Sequence, residues 1–235
     1  MSFTGLLEAF GLGLAAQSSL FFAGLAVCWI AVPRRLVGVL AGFGAGAMLS
    51  AISFDLIAQA EELSAWQYSL WMLIGVAVFL AGDRLVERRF GDEGTGGAMG
   101  IVVGSVVDGV PESIIFGIQI GTGLAVSPSF LGAVFVSNIP QAVAPSADLR
   151  SAGWSAARLG KLWIMVVVAC GVAAALGFIA TDVSGTVAGD RMAALAAGGL
   201  LAMLTNSLIP FAYERGGELA GAATVVGFCV ALLGT

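Results

Sequence analysis

Two acidic residues, Asp108 and Glu112, lie within a long apolar stretch over 98–126. One carboxylate at membrane depth costs roughly 2.5–3.5 kcal/mol on the insertion scale, and two of them cost about twice as much. Ionisable residues inside a membrane face protein or water and mark ion pathways. Carboxylates on neighbouring turns of a helix can also coordinate a cation. This segment therefore predicts a cation pathway.

Two further polar residues extend this pattern along one helix face. The four residues at i, i+3, i+7 and i+14 are Ser105, Asp108, Glu112 and Gln119. Because the other faces carry Ile, Val, Phe and Gly, we expect the polar face to turn toward the interior of a helix bundle. Pro111 cannot donate a backbone hydrogen bond, which frees a carbonyl oxygen at the same depth. The alternative is that the carboxylates only bind neighbouring hydroxyls or are protonated.

The next apolar segment carries a second polar group of the same character. Its polar residues are Ser137, Asn138 and Gln141, and Pro140 frees the carbonyl of Val136. Hydrogen bonding between helices is the alternative interpretation of these amides. All of the candidate ligands in both segments are oxygen donors, which suit hard cations such as Mg, Ca or Mn more than Zn.

The composition indicates the framework that must position these residues. The chain has 235 residues, of which 59% are hydrophobic and 11% charged, whereas a soluble domain carries about 25% charged residues. It is predicted to be an all-α integral membrane protein. There is no basic surface for nucleic acid, no histidine, and no nucleophile paired with a base, so an enzyme is not expected. Cys28, Cys170 and Cys229 lie in different apolar stretches, which argues against a disulfide framework.

Hydropathy predicts a single domain that is a polytopic bundle of eight transmembrane helices. The spans are approximately 5–32, 36–58, 65–83, 98–124, 128–148, 161–181, 192–212 and 217–235. Nine basic residues then lie in the odd-numbered loops and only Arg191 lies in the others. This positive-inside pattern predicts cytoplasmic odd loops and both termini outside, in the cell membrane (plasma or inner). The polar segment 87–97 is predicted to be a Gly-rich cytoplasmic loop.

Two pairs of segments indicate internal repeats. AGAMLSAISFDLIA over 45–58 aligns without gaps to AGGLLAMLTNSLIP over 197–210, and VDGVPES over 107–113 resembles VSNIPQA over 136–142. The members of each pair belong to spans that cross the membrane in opposite directions. Inverted repeats with a site between the halves at the bilayer midplane are the usual design of secondary transporters.

Other features are less specific. Asp55, followed by Glu61 and Glu62, could attract cations to the pore mouth, or could equally form a solvated rim. Three glycines in GxxxG spacing on span two predict a tight helix contact, within or between subunits; they are Gly38, Gly42 and Gly46. Polar groups that could line a pathway also occur in span one and span seven; they are Gln17, Ser18 and Ser19, and Thr205, Asn206 and Ser207.

Four segments of the chain resemble the ZIP family of metal permeases. GFGAGAMLSAISFDLIAQAEE over 42–62 is similar to the second helix of that family, and DGVPES over 108–113 is similar to its H-N-x-P-E-G signature. SNIPQA over 137–142 resembles the H-x-x-P-E signature, and NSLIP over 206–210 resembles the D-E-L-I-P segment. The resemblance covers nearly the whole chain and implies eight spans, alternating access and, commonly, a homodimer, to which the glycine face of span two could contribute.

Several family ligands are replaced in this sequence. The two signature histidines correspond to Asp108 and Ser137, and the second signature glutamate corresponds to Gln141, while Glu112 is kept. What the resemblance implies is one metal site, with no other cofactor. Its predicted ligands are Asp108, Glu112, Ser137, Asn138 and Gln141.

The predicted function is inward transport of a divalent metal cation, either zinc or another divalent ion such as manganese. One alternative is a relative of the family that has lost its metal centre and does not transport, which the loss of every histidine favours. Another is transport of a monovalent ion or a small organic cation. The Asp108 and Glu112 pair favours transport over a non-transporting relative.

Overall fold

The computed structural model of the chain consists of helices joined by short connections. It describes residues 2–57, 63–90, 96–123, 126–184 and 186–234. Within these ranges there is no strand, and the predicted all-α class is confirmed. The helices found there are α1 Phe3–Ala26, α2 Arg34–Leu56, α3 Ala65–Phe90, α4 Gly96–Thr122, α5 Pro128–Ser151, α6 Ala156–Ser184, α7 186–216 and α8 Glu218–Leu232.

Five of these helices are long and apolar enough to cross a membrane, namely α1, α2, α3, α6 and α7. Helix α8 is apolar but has only 15 residues. Helices α4 and α5 are 27 and 24 residues long, and both contain prolines and polar side chains within the helix. These five candidate spans fit the predicted membrane protein, whereas the count of eight spans remains a prediction.

The ends of some helices differ from the sequence prediction. The predicted loop over 87–97 is in part helical, because α3 continues to Phe90 and α4 begins at Gly96; residues 91–95 lie outside the described ranges. Glu and Arg are good helix formers, which explains the extension of α3. Helix α1 ends at Ala26 rather than near residue 32, and a turn over 27–29 and a short segment without regular structure lead to Pro33. Residues that precede a proline favour extended backbone over helix.

The surface of α6 has the character expected of a helix in lipid. Large apolar side chains are exposed on one of its faces, among them Ile164, Met165, Val168, Val172 and Leu176. A soluble protein rarely exposes so continuous an apolar strip. The opposite face of α6 packs on α1 and α4.

The glycine face of α2 is buried within the chain itself. A Cβ on Gly38 would lie within 2.8 Å of the carbonyl oxygen of Ala212 in α7, and one on Gly42 would overlap the carbonyl oxygen of Ala220 in α8. The prediction of a tight helix contact is confirmed, and the contact is within one subunit. The suggestion that this face serves a homodimer is wrong, because α7 and α8 already cover it. Homodimerisation itself stays a prediction.

Two helix interfaces, α2 with α8 and α3 with α7, share the same close approach. In each contact a Cβ on the glycine would overlap the partner's carbonyl oxygen. The four contacts are Gly46 with Thr224, Gly227 with Phe43, Gly198 with Met72, and Gly75 with Leu195. Gly46 and Phe43 in α2 correspond to Gly198 and Leu195 in α7, and Thr224 and Gly227 in α8 correspond to Met72 and Gly75 in α3. All four pairs are separated by the same number of positions in the sequence. Equivalent positions of the chain therefore build both interfaces.

Helices α2 and α7 also share a rare local structure. Each contains one π-helical turn, Ile52–Leu56 in α2 and Leu204–Leu208 in α7, and these turns occupy matching positions of the two aligned segments. Just within each turn a hydroxyl donates to a carbonyl four residues earlier, Ser53 to Leu49 at 2.8 Å and Thr205 to Leu201 at 2.9 Å. Such bonds from Ser or Thr disturb the regular helix.

Filling the close approach at Gly46 should destabilise the protein. Because the atom opposite is a backbone carbonyl oxygen, Gly46→Ala forces α2 and α8 apart, and we expect a loss of about 1–3 kcal/mol. Gly221→Ala on α8 is the control, since a Cβ there meets no atom within 4 Å and Ala favours helix by about 1 kcal/mol over Gly. Unfolding of both variants in detergent checks the prediction. Equal stability of the two variants would show that this contact can be relaxed without cost.

Candidate functional site

The polar residues of α4 turn into the bundle, as their spacing predicts. Glu112 is fully buried, while Ser105 and Gln119 are 7% and 2% exposed. Asp108 is half-buried because it borders a cavity. Pro111 lies within α4, which continues past it to Thr122. The face predicted from the sequence is thus confirmed as an interior face.

A chain of hydrogen bonds links Glu112 to two other helices. The side-chain amide of Gln17 in α1 donates to Oε2 of Glu112 at 2.9 Å, and its oxygen accepts from Nδ2 of Asn138 in α5 at 2.8 Å. All three side chains are at most 1% exposed. Oε1 of Glu112 has no hydrogen-bond partner among the described residues. One carboxylate oxygen is therefore held while the other is left to bind something else.

A cavity, here called the main cavity, lies between α4, α5 and α7, and polar residues form part of its wall. Its volume is about 290 Å³, roughly ten times the share of one water molecule in the liquid. It extends from exposed Asp148 and half-buried Arg215 to Asp108. The polar residues that line it are Ser105, Asp108, Gln141, Asp148, Ser207 and Arg215.

The charges of the main cavity favour a cation. Asp108 and Asp148 contribute two carboxylates against the single guanidinium of Arg215. That guanidinium stacks 3.9 Å from the ring centroid of Phe211, which holds it against the wall of the cavity. Nε2 of Gln141 has no hydrogen-bond partner among the described residues.

The structure divides the five predicted ligands into separate groups. Asp108 and Gln141 border the main cavity, while Glu112 and Asn138 bind Gln17. Ser137 is fully buried and donates to the carbonyl of Val134 at 2.9 Å, within its own helix. Among the described residues no three His, Cys, Asp or Glu side chains are grouped closely enough to hold a metal ion. A cation here would be bound mainly by Asp108 and neutral oxygens.

Asp55 is buried and hydrogen-bonded within the protein, in contrast to the pore mouth or solvated rim predicted for it. It is 8% exposed, and its Oδ2 accepts from Oγ of Ser127 at 2.5 Å and Oγ of Ser129 at 2.7 Å. Ser127 also caps the N-terminus of α5. The carboxylate therefore ties the end of α2 to the start of α5 and is not a solvated rim. Glu61 and Glu62, predicted to join it, lie outside the described residues.

Removal of this link should cost stability. Hydrogen bonds to a charged group contribute about 1.5–3 kcal/mol each, so we expect Asp55→Ala to destabilise by about 2 kcal/mol or more. Ser69→Ala is a suitable control, because its hydroxyl donates only to the carbonyl of Ala65 on an exposed face. Thermal unfolding in detergent measures both. A midpoint for Asp55→Ala equal to that of the control would mean that the Asp55 bonds add nothing to stability.

The residue that sequence reasoning undervalued is Gln17. It was one of three polar residues noted in span one, and only the structure shows that it joins Glu112 to Asn138. Of the polar group in span seven, Ser207 borders the main cavity, whereas Thr205 and Asn206 are exposed. A signal for Gln17 was present, since an amide in an otherwise apolar helix needs a hydrogen-bond partner.

Comparison with models of known protein families gives no match. Comparison with curated protein sequences gives no match either. The resemblance of the four segments to ZIP permeases therefore rests on the residues themselves. Any function of the site has to be argued from its geometry and chemistry.

Proposed function

We propose that the chain is a membrane carrier that moves a divalent metal cation, zinc or another ion such as manganese, into the cytoplasm. The observation that carries this proposal is the course of the polar face of α4. It borders the main cavity at Asp108, holds the buried carboxylate of Glu112 in the middle, and reaches a second, small cavity at Gln119. A line of polar groups between two cavities along a bundle interior is the arrangement that ion passage requires.

Several correspondences between the two halves of the chain are those expected of an inverted repeat, and they support the carrier proposal. The α2–α8 and α3–α7 contacts occur at equivalent positions, and so do the two π-helical turns. The pattern of contacts between helices is also similar in the two halves. Most contacts between two helices have a matching contact when α1 is exchanged with α6, α2 with α7, α3 with α8, and α4 with α5. For example, α4 packs on α6 as α5 packs on α1, and α2 packs on α5 as α7 packs on α4. Carriers built this way bind their substrate between the repeats.

The distribution of basic residues gives the proposed orientation of the chain in the membrane. All eight helices are taken to cross the membrane, with α4, α5 and α8 shielded from lipid in part by their neighbours. The excess of Arg and Lys in the odd loops then places the ends of α5 and α7 on the cytoplasmic side. Under this orientation the main cavity opens toward the cytoplasm, as expected of the inward-facing state of a carrier.

The proposed substrate site lies at the deep end of the main cavity. Asp108 supplies the charge, and Gln141 and Ser207 supply neutral oxygens. Glu112 would join when its bond to Gln17 is released, since Oε1 already lacks a partner. Few charged ligands give moderate affinity, which lets a transported ion leave again. The resemblance to ZIP permeases at 108–113 and 137–142 supports the same location.

Ion flux into proteoliposomes tests the proposal. Purified protein is reconstituted, and uptake of Zn²⁺, Mn²⁺, Na⁺ and a small organic cation is followed with matched protein-free vesicles as the blank. We expect saturable uptake of at least one divalent ion that competing divalent ions inhibit. Uptake of the organic or monovalent cation alone would change the substrate class. Uptake equal to the blank for every cation would contradict the carrier proposal.

A second candidate function is a binding or regulatory membrane subunit that does not transport. The observation in its favour is the bridge from Gln17, which satisfies Glu112 without any ion and ties α1, α4 and α5 together. Under this candidate the bridge is a permanent structural element. Absence of flux combined with normal folding would favour it over the carrier.

A further inference from the structure

The small cavity lies between α2, α4 and α7, away from the main cavity. Its volume is about 10 Å³, which corresponds to about one water-sized occupant. Leu56 and Ile115 supply apolar wall, and its polar residues are Gln119, Thr122 and Asp190. A cavity of this size cannot hold an ion together with its water shell.

Gln119 is the most unusual residue of this cavity. Its side chain is 2% exposed, yet neither its Oε1 nor its Nε2 has a hydrogen-bond partner among the described residues. An amide buried in this way is strongly disfavoured unless something else satisfies it. Because Gln119 lines the small cavity, an occupant of that cavity is placed to do so.

Three residues that line the small cavity carry oxygen atoms of the kind that bind cations. The Thr122 hydroxyl donates its hydrogen to the carbonyl of Ile118 at 2.8 Å, so its lone pairs remain for an occupant. Gln119 adds an amide oxygen and Asp190 adds a carboxylate. A carboxylate with neutral oxygens in an apolar wall favours a cation and disfavours an anion. Mg²⁺ gives up its water reluctantly and fits such a site poorly.

Three residues of the small cavity have sequence counterparts in the wall of the main cavity. In the alignment of 107–113 with 136–142, continued along both helices, Gln119 and Ile115 correspond to Asp148 and Ala144. Leu56 corresponds to Leu208 in the alignment of α2 with α7. Those three counterparts all line the main cavity. The two cavities therefore share three corresponding positions, whereas the counterparts of Thr122 and Asp190, which are Ser151 and Gly38, do not line the main cavity.

We propose that the small cavity is a second cation site, formed by Gln119, Thr122 and Asp190, which holds one small cation stripped of its water shell. It lies on the same face of α4 as Glu112, on the other side of Glu112 from Asp108. Its role in transport, as the place where the ion is held before it reaches Glu112, rests on the proposed function. The binding itself does not depend on transport.

Cation-dependent thermal unfolding of the purified full chain tests this proposal. All variants carry Asp108→Asn, so that the main cavity contributes little binding. Unfolding is followed against Na⁺ and against Mn²⁺ at constant ionic strength set with N-methylglucamine chloride. We expect a saturable rise of the midpoint with one of these ions, and at least tenfold weaker dependence when Gln119→Met is added. Gln119→Met should also raise the midpoint without added cation, because an unsatisfied amide is replaced by an apolar side chain of similar size.

A further variant and the flux assay separate the outcomes. Asp190→Asn keeps the shape of the site and removes its charge, so it should also weaken the dependence at least tenfold, and it replaces Gln119→Met if that protein does not fold. No saturable rise, or one that both variants retain, would overturn the site and leave a water-filled cavity. Flux in the wild type without the rise refutes the second site alone. The rise without flux refutes the carrier and keeps the site.

Discussion

Asp108→Asn should lower the initial rate of cation flux into proteoliposomes at least tenfold. Asp108 is the acidic residue of α4 that borders the main cavity, and the site there has few other charged groups. Two unit charges 4 Å apart attract by about 4 kcal/mol at an effective dielectric constant of 20, and about 1.4 kcal/mol is a tenfold change in affinity. Part of this attraction is offset by removing water from the ion, which leaves at least the tenfold effect.

The comparison needs a variant that loses the same charge elsewhere. Glu8 lies exposed on α1 and does not border the main cavity, so Glu8→Gln should transport at the wild-type rate. The amount of folded protein in the vesicles is matched by size-exclusion chromatography before reconstitution. Provided that the wild type transports, an unchanged rate for Asp108→Asn would remove Asp108 from the substrate site.

Gln17→Leu should destabilise the protein by about 2–6 kcal/mol. The substitution leaves two buried groups without partners, Oε2 of Glu112 and Nδ2 of Asn138. Each buried polar group left unsatisfied costs about 1–3 kcal/mol, and more when it is charged. Unfolding in detergent, followed by the loss of helical circular dichroism, measures the change.

Two further variants serve as controls for Gln17→Leu. Ser18→Ala, next in the chain, should be within about 0.5 kcal/mol of the wild type, because its hydroxyl donates only to the carbonyl of Ala15. Replacing all three members of the bridge by Leu should recover most of the lost stability, since no polar group is then left unsatisfied. A Gln17→Leu protein as stable as the wild type would show that the bridge has no energetic value.

The sequence was sufficient for the features that depend on local periodicity. The polar face of α4 follows from the spacing of Ser105, Asp108, Glu112 and Gln119, because 3.6 residues per turn fix which side chains share a face. The GxxxG spacing predicts that α2 is closely packed. Neither pattern identifies the helix that packs on the face in question. Only the structure shows that Gly42 contacts α8 of the same chain.

The features that sequence reasoning missed depend on contacts between distant parts of the chain. Gln17 is 95 positions from Glu112 and 121 from Asn138, and no periodicity connects them. Asp55 looked like a surface acid until Ser127, 72 positions away, was seen to bind it. A span-by-span reading gives each helix a polar face but does not say which faces meet.

The π-helical turn of α7 bears on how a missing residue there would affect the chain. Such a turn is wider than an α-helical turn and accommodates one extra residue. Deleting one residue from 204–208 would let α7 continue as a regular helix, and the residues beyond it would keep their faces because the wide turn already absorbs one residue. Phe211 and Arg215 would then stay in the wall of the main cavity, whereas a deletion in a regular turn would rotate them by about 100°. Single-residue gaps at this place in an alignment of relatives would therefore mark proteins that keep the same cavity wall.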